Sequence, residues 1–176
     1  MQILYFTMFM TTLILYAVLG LSPEETKFRI DREVFGAHMS SWHKAAVRTC
    51  AGEEPGTSVC PSGTVDPVAK MLPTMKNAPA FDDDRFTSRF DAGTGILATI
   101  VSAAAEDETG LTHDLMMAGL NEQVDGESSM IGIFDRSTSR VAFTALTGIY
   151  KTTYIVLPPS ISGSVPDGSP VIVSRI

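Results

Sequence analysis

Cys50 and Cys60 are the only two cysteines in a chain of 176 residues. The stretch between them, AGEEPGTSV, carries a proline and two glycines and reads as a loop. Two thiols at this spacing support three chemistries: a disulfide, a pair of free thiols, or half of a metal site completed by His38 and His43. A disulfide closing so short a loop contributes roughly 2 to 3 kcal/mol and is the first expectation. It persists in oxidising compartments, which places the body of the protein outside the cytoplasm. The metal reading needs both histidines to fold back beside both sulfurs across a wide spacing.

Other groups that resemble functional clusters have simpler explanations. Gly93-Thr94-Gly95 falls in a hairpin turn, where positive backbone dihedrals account for its glycines better than phosphate binding does. Asp82-Asp83-Asp84-Arg85 lacks the alternating spacing and glycine of a calcium loop and reads as solvated. His113 and Asp114, like His43 and Lys44, are helix neighbours that face apart, so neither forms an acid–base pair. The chain offers no nucleophile elbow, phosphate loop or metal-spaced helix. It is expected to be non-enzymatic, with no catalytic residue, no cofactor and no metal.

Several elements must position these residues. No charged side chain precedes Glu24, and residues 1–22 are dominated by apolar side chains. About 20 helical residues cross the roughly 30 Å hydrocarbon core of a bilayer. Residues 1–22 therefore read as a transmembrane anchor. The competing reading is a signal peptide cleaved near Gly20, which a basic n-region and a shorter apolar run would favour.

Ser22-Pro23-Glu24-Glu25 has the form of a capping box with proline in the first turn. From there Phe28, Phe35, Met39, Trp42 and Ala46 recur on one stripe, so residues 23–50 read as an amphipathic stalk helix packed on a globular part. Charge flanking the anchor nearly balances and leaves its orientation open. The remaining residues, 51–176, suit one domain. A net charge of −7 with no basic cluster argues against a nucleic-acid partner.

Residues 51–82 are rich in proline and glycine and read as an irregular crossing, with Asp66 capping a short helix that Pro73 ends. Strands are predicted at 86–91 and 96–103 as a hairpin, a helix at 107–121, a second hairpin at 129–134 and 140–146, and strands at 154–157 and 169–176. The helix turns Leu111, Leu115 and Leu120 inward, and its Gly119 weakens it. The fold class is α+β: an N-terminal transmembrane helix continuing into an amphipathic helix, packed on an antiparallel sheet with one further helix. The C-terminal strand, 170–176, and the exposed stalk face are the expected contact surfaces.

The layout resembles the small PilM proteins of thin-pilus (type IVb) conjugation systems, which are distinct from the actin-like protein sharing that name. The residues that carry the resemblance are the N-terminal membrane segment, SWHKAAVRTC at 41–50, MIGIFDRSTSRVAFTALTG at 130–148 and LPPSISGSVPDGSPVIVSRI at 157–176. The resemblance implies a single-pass bacterial inner-membrane protein with its body in the periplasm. It also implies a role at the pilus base or pilin transport apparatus, through contacts with other pilus-assembly proteins, pilin among them. The alternatives are a minor pilin or pseudopilin-like filament subunit, against which no acidic residue occurs before Glu24, and a secreted binding module if residues 1–20 are cleaved.

Overall fold

The computed structural model describes Met10 and residues 23–54, 57–77, 83–102, 111–123, 130–143 and 153–176. Among these residues no helix is long and apolar enough to cross a membrane. The expected anchor, apart from Met10, lies outside the described residues. A compact unit runs from Arg32 to Ile176, and Met1–Asp31 forms a separate one.

Helix α1 is Pro23–Cys50. Strand β1, Gly63–Val65, follows the cysteine loop, then a 3-10 turn at Val68–Lys70 and a short helix α2 at Pro73–Lys76. Next come β2, Phe86–Asp91; β3, Ile96–Val101; helix α3, His113–Gln123; β4, Met130–Asp135; and β5, Arg140–Phe143. The chain closes with β6, Thr153–Val156; a helical turn α4, Pro159–Ser162; and β7, Pro170–Arg175. The architecture is α+β, with α1 and α3 on a seven-stranded sheet.

All strand pairs are antiparallel, in the order β1-β2-β3-β7-β4-β5-β6. This order corrects the expectation that the C-terminal strand is free to pair with a partner. Strand β7 sits inside the sheet, with Thr99 opposite Ile172 on one side and Ile131 opposite Ile172 on the other. From Val171 to Val173 the strand is paired on both sides. Among the described residues the sheet edges are β1 and β6.

The short elements show what proline does locally. The sequence places Pro73 at the end of a helix; in the structure it starts α2, because its fixed φ and missing N–H suit the first helical turn. Pro159 starts α4 in the same way. Asp66 accepts a hydrogen bond from the Val68 N–H at 3.0 Å, and the turn it introduces is 3-10. Strand β1 was not anticipated, since three residues carry too little alternation to read.

Side-chain alternation divides the sheet into two faces. On one face Phe86, Val101 and Ile172 pack with Phe35, Met39 and Trp42 of α1 and with Met116, Met117 and Leu120 of α3. Ala46, Cys50, Val65, Phe90 and Leu97 continue this layer. Phe35 meets Phe86 edge-on at a centroid distance of 5.5 Å. On the other face Ile96, Ala98, Ile100, Val171 and Val173 pack with Phe134, Val141 and the C-terminal segment's Leu157, Ile161 and Val165. Strands β3 and β7 are thus covered on both faces, which explains their near-continuous apolar runs, ILATIV and PVIV.

The C-terminal segment is tied down by polar contacts. Ser160 Oγ donates to Asp91 at 2.6 Å, Arg89 donates to the Ser160 carbonyl at 3.3 Å, and Arg136 donates to the Val165 carbonyl at 3.1 Å. The Ser160 and Thr94 hydroxyls hold the Asp91 carboxyl below its usual range.

Gly36 and Gly119 set the approach of α3 to α1. A Cβ on Gly36 would collide with the Gly119 carbonyl, and one on Gly119 with the Arg32 carbonyl. Glycine inside α3 costs about 1 kcal/mol relative to alanine; here the cost is offset because the bare Cα lets the two backbones touch. Gly36→Ala and Gly119→Ala are each expected to destabilise by about 2 kcal/mol or more, a drop in Tm of roughly 4 to 8 °C for a domain of this size. Gly93→Ala, whose added Cβ meets only an Asp91 oxygen at 3.4 Å, serves as the control. Thermal unfolding checks this: equal melting of all three variants and the parent would contradict so close an approach.

Candidate functional site

The disulfide joins Cys50, the last residue of α1, to Cys60. The sulfurs are bonded to each other, so neither is available as a thiolate, and the metal reading with His38 and His43 does not stand. Among the described residues no group of three or more His, Cys, Asp or Glu side chains is placed to hold a metal ion. The closed loop is shaped by backbone pairing: Val59 N–H donates to the Cys50 carbonyl and Gly52 N–H to the Thr57 carbonyl.

Of the stalk stripe, Phe35, Met39, Trp42 and Ala46 are buried. Phe28 lies in the part of α1 whose side chains are outside the described set. Gly93-Thr94-Gly95 forms the β2–β3 turn, where Gly95 has φ +67° and the Asp91 carboxylate accepts from both the Thr94 N–H and its hydroxyl. Asp83–Arg85 forms a 3-10 turn, and Asp82 lies outside the described residues.

Sequence reasoning missed the principal polar constellation. His43 projects from α1 into the layer between helix and sheet and is 1 % exposed. Its Nδ1 lies 2.8 Å from Thr99 Oγ1 of β3, and its Nε2 lies 2.8 Å from Ser174 Oγ of β7. Thr99 Oγ1 in turn lies 2.7 Å from Ser88 Oγ of β2. One side chain from α1 and one from each of three adjacent strands therefore make a continuous chain, Ser88–Thr99–His43–Ser174. A neutral imidazole donates through one ring nitrogen and accepts through the other, which matches two hydroxyl neighbours.

Electrostatics keep the ring neutral. Burial pushes the His43 pKa down to about 3. His38 is also lowered, first by burial and then by the Arg85 guanidinium. A serine hydroxyl at hydrogen-bond distance from an imidazole is the geometry of an activated nucleophile. Here Ser174 is 4 % exposed and faces α1 from an interior strand, so no substrate reaches it. The constellation holds α1 in register on the sheet.

Ser88 ends this chain of hydroxyls and is itself fully buried. It forms part of the wall of an open cleft of about 280 Å³ beside β1 and β2, together with Trp42, Thr64, Val65, Asp66, Val68, Asp84, Phe86 and Thr87. Trp42 and Phe86 are buried, with ring centroids 6.2 Å apart, whereas Asp66 and Asp84 are exposed.

The His43 environment sets a pH dependence whose sign is fixed. The folded pKa lies below the unfolded value, so the unfolded state binds the extra proton between about pH 6.5 and pH 3. Stability is full above pH 6.5 and falls as the pH drops through that window, by about 1.4 kcal/mol per pH unit for this group. His38 adds to the loss in the same direction. Urea unfolding is expected to show His43→Gln losing less stability than the parent between about pH 7 and pH 5, by about 2 kcal/mol. Parallel losses in both proteins would mean that the buried ring titrates normally.

Comparison with protein-family models, with curated proteins and with solved structures finds no match to this chain.

Proposed function

We propose that the protein is a non-enzymatic, membrane-anchored accessory component of thin-pilus biogenesis, acting through protein contacts at the pilus base or the pilin transport apparatus. The observation that carries this reading is the junction at Pro23. An uncharged apolar run of bilayer length leads into helix α1, and α1 runs on to a disulfide at Cys50. A helix that joins an apolar segment to an oxidised α+β unit suits a tether better than a diffusible enzyme. The disulfide is consistent with a periplasmic body. The stated resemblance to small PilM proteins supplies the machine.

A second reading, a minor pilin or pseudopilin-like filament subunit, is favoured by one feature: from Arg32 on, the N-terminal helix lies against an antiparallel sheet. In either case β7 lies inside the sheet, and the edge strands among the described residues are β1 and β6. Tyr154 and Val156 of β6 are about half exposed, and the Arg140 guanidinium lies 4.2 Å from the Tyr154 ring centroid.

The test is the intact mass of the protein extracted from membranes in detergent without reductant, with cross-linked partners identified from the same preparation. The reading expects a full-length species, two hydrogens lighter than the reduced chain, cross-linked to inner-membrane pilus-assembly proteins. A species beginning near Leu21 in the soluble fraction would replace it with a secreted binding module. Recovery in sheared filaments would replace it with a filament subunit.

A further inference from the structure

We infer that strand β6 is a self-association site: two copies of this chain pair antiparallel through β6, about a two-fold axis at Ile155, so that the sheet of one protomer continues into the other. The inference does not depend on membrane attachment or on a role in pilus assembly.

The register of β6 on β5 shows which backbone groups are turned away from the sheet. Val141 lies opposite Ile155, and the Leu157 N–H donates to the Ser139 carbonyl at 2.9 Å. Bonded and non-bonded pairs alternate along an antiparallel ladder. Residues 153, 155 and 157 therefore turn their N–H and C=O groups to β5, and Tyr154 and Val156 turn theirs to the outer side. Among the described residues β6 pairs with β5 alone. The same two residues carry the exposed side chains: Tyr154 is 52 % and Val156 53 % exposed, whereas Ile155 packs against the core on the other face of the sheet.

This pattern is self-complementary, which selects a second copy as the occupant. Rotation about an axis through Ile155 and normal to the sheet sets Tyr154 opposite Val156 of the partner subunit, and Val156 opposite Tyr154 of the partner subunit. Both are bonded pairs, so the N–H and C=O groups of both residues in each copy find partners, in four hydrogen bonds. Each pair also joins an aromatic ring to a β-branched side chain, a favourable cross-strand combination. The Tyr154 ring is held beforehand by Arg140, whose guanidinium lies 4.2 Å from its centroid, so little ordering remains. Thr153–Val156 contains none of the charged residues or prolines that commonly protect an edge. The other edge, β1, is three residues long and offers Gly63 and Thr64 in place of large apolar side chains. A contact in which both copies use the same edge closes at two.

Sedimentation equilibrium of the full-length protein in density-matched detergent tests this. The expected result is a concentration-dependent monomer–dimer equilibrium with no larger species. Tyr154→Glu and Val156→Glu together should weaken the dimer about tenfold or more, because glutamates then face each other across the axis. Within its own protomer each glutamate lies beside Arg140, so the melting temperature should stay near the parent's. The register is tested by cross-linking. Cys50 and Cys60 are already joined, so an introduced cysteine supplies the one free thiol. Ile155→Cys places two thiols directly opposite across the axis, at a Cα separation of about 4.5 Å that a disulfide spans, and should give a covalent dimer with diamide. Val156→Cys places its two copies roughly 8 to 9 Å apart and should not. A monomer at all concentrations, a dimer unaffected by the paired glutamates, or cross-linking at residue 156 equal to that at 155 would overturn the inference.

Discussion

Everything in the compact unit depends on how α1 is seated on the sheet. Phe35, Met39, Trp42 and Ala46 give that contact its apolar strength, each large side chain contributing about 1.5 to 3 kcal/mol on burial. Apolar contacts alone tolerate sliding and rotation. The His43 ring does not: its two nitrogens must meet Thr99 on β3 and Ser174 on β7. A shift of the helix by one residue would break both hydrogen bonds of the buried imidazole and leave its ring nitrogens unpaired, at about 1 to 3 kcal/mol for each. The polar chain therefore specifies the position that the apolar stripe stabilises.

The remaining features reinforce that seating from both ends. At the end of α1 the disulfide clamps Cys50 to the segment leading into β1, which pairs with β2. Midway, Gly36 and Gly119 allow α3 to press against α1. On the opposite face the segment around Ile161 covers β3 and β7, with Ser160 fastened to Asp91 at the end of β2 and the Val165 carbonyl held by Arg136 of the β4–β5 turn. The two central strands are the best-protected part of the domain, and α1 is bonded to both of them. The open cleft beside β1 and β2 lies at the margin of this arrangement, lined in part by the buried Trp42 and Phe86.

Much of the fold was legible because its signals are local. The β2–β3 and β4–β5 hairpins follow from alternation flanking turn residues, and α1 from a stripe of large apolar side chains. The short loop between the cysteines was enough to indicate their pairing. What escaped depends on distance along the chain. The position of β7 between β3 and β4 requires pairing across about half the domain, and no pattern within PVIVSR announces it. Beside His43 the sequence shows only Lys44, whereas its partners lie 56 and 131 residues away. A signal was present: Ser88, Thr99 and Ser174 each interrupt an inward-facing row of apolar residues, and His43 follows Trp42 on the buried side of α1. By propensity alone Gly119 is a flaw in a helix, whereas in the fold it is a point of contact. The cleft was invisible in sequence because its wall combines residues 42, 64–68 and 84–88.

Native-state amide hydrogen exchange tests the central claim most directly. If α1 is locked to the sheet by the His43 chain and the surrounding stripe, amides of residues 39–50 should exchange only by the same global opening as those of β3 and β7, with equal free energies of opening. Exchange of α1 through a separate opening of lower free energy, while β3 and β7 remain protected, would contradict it.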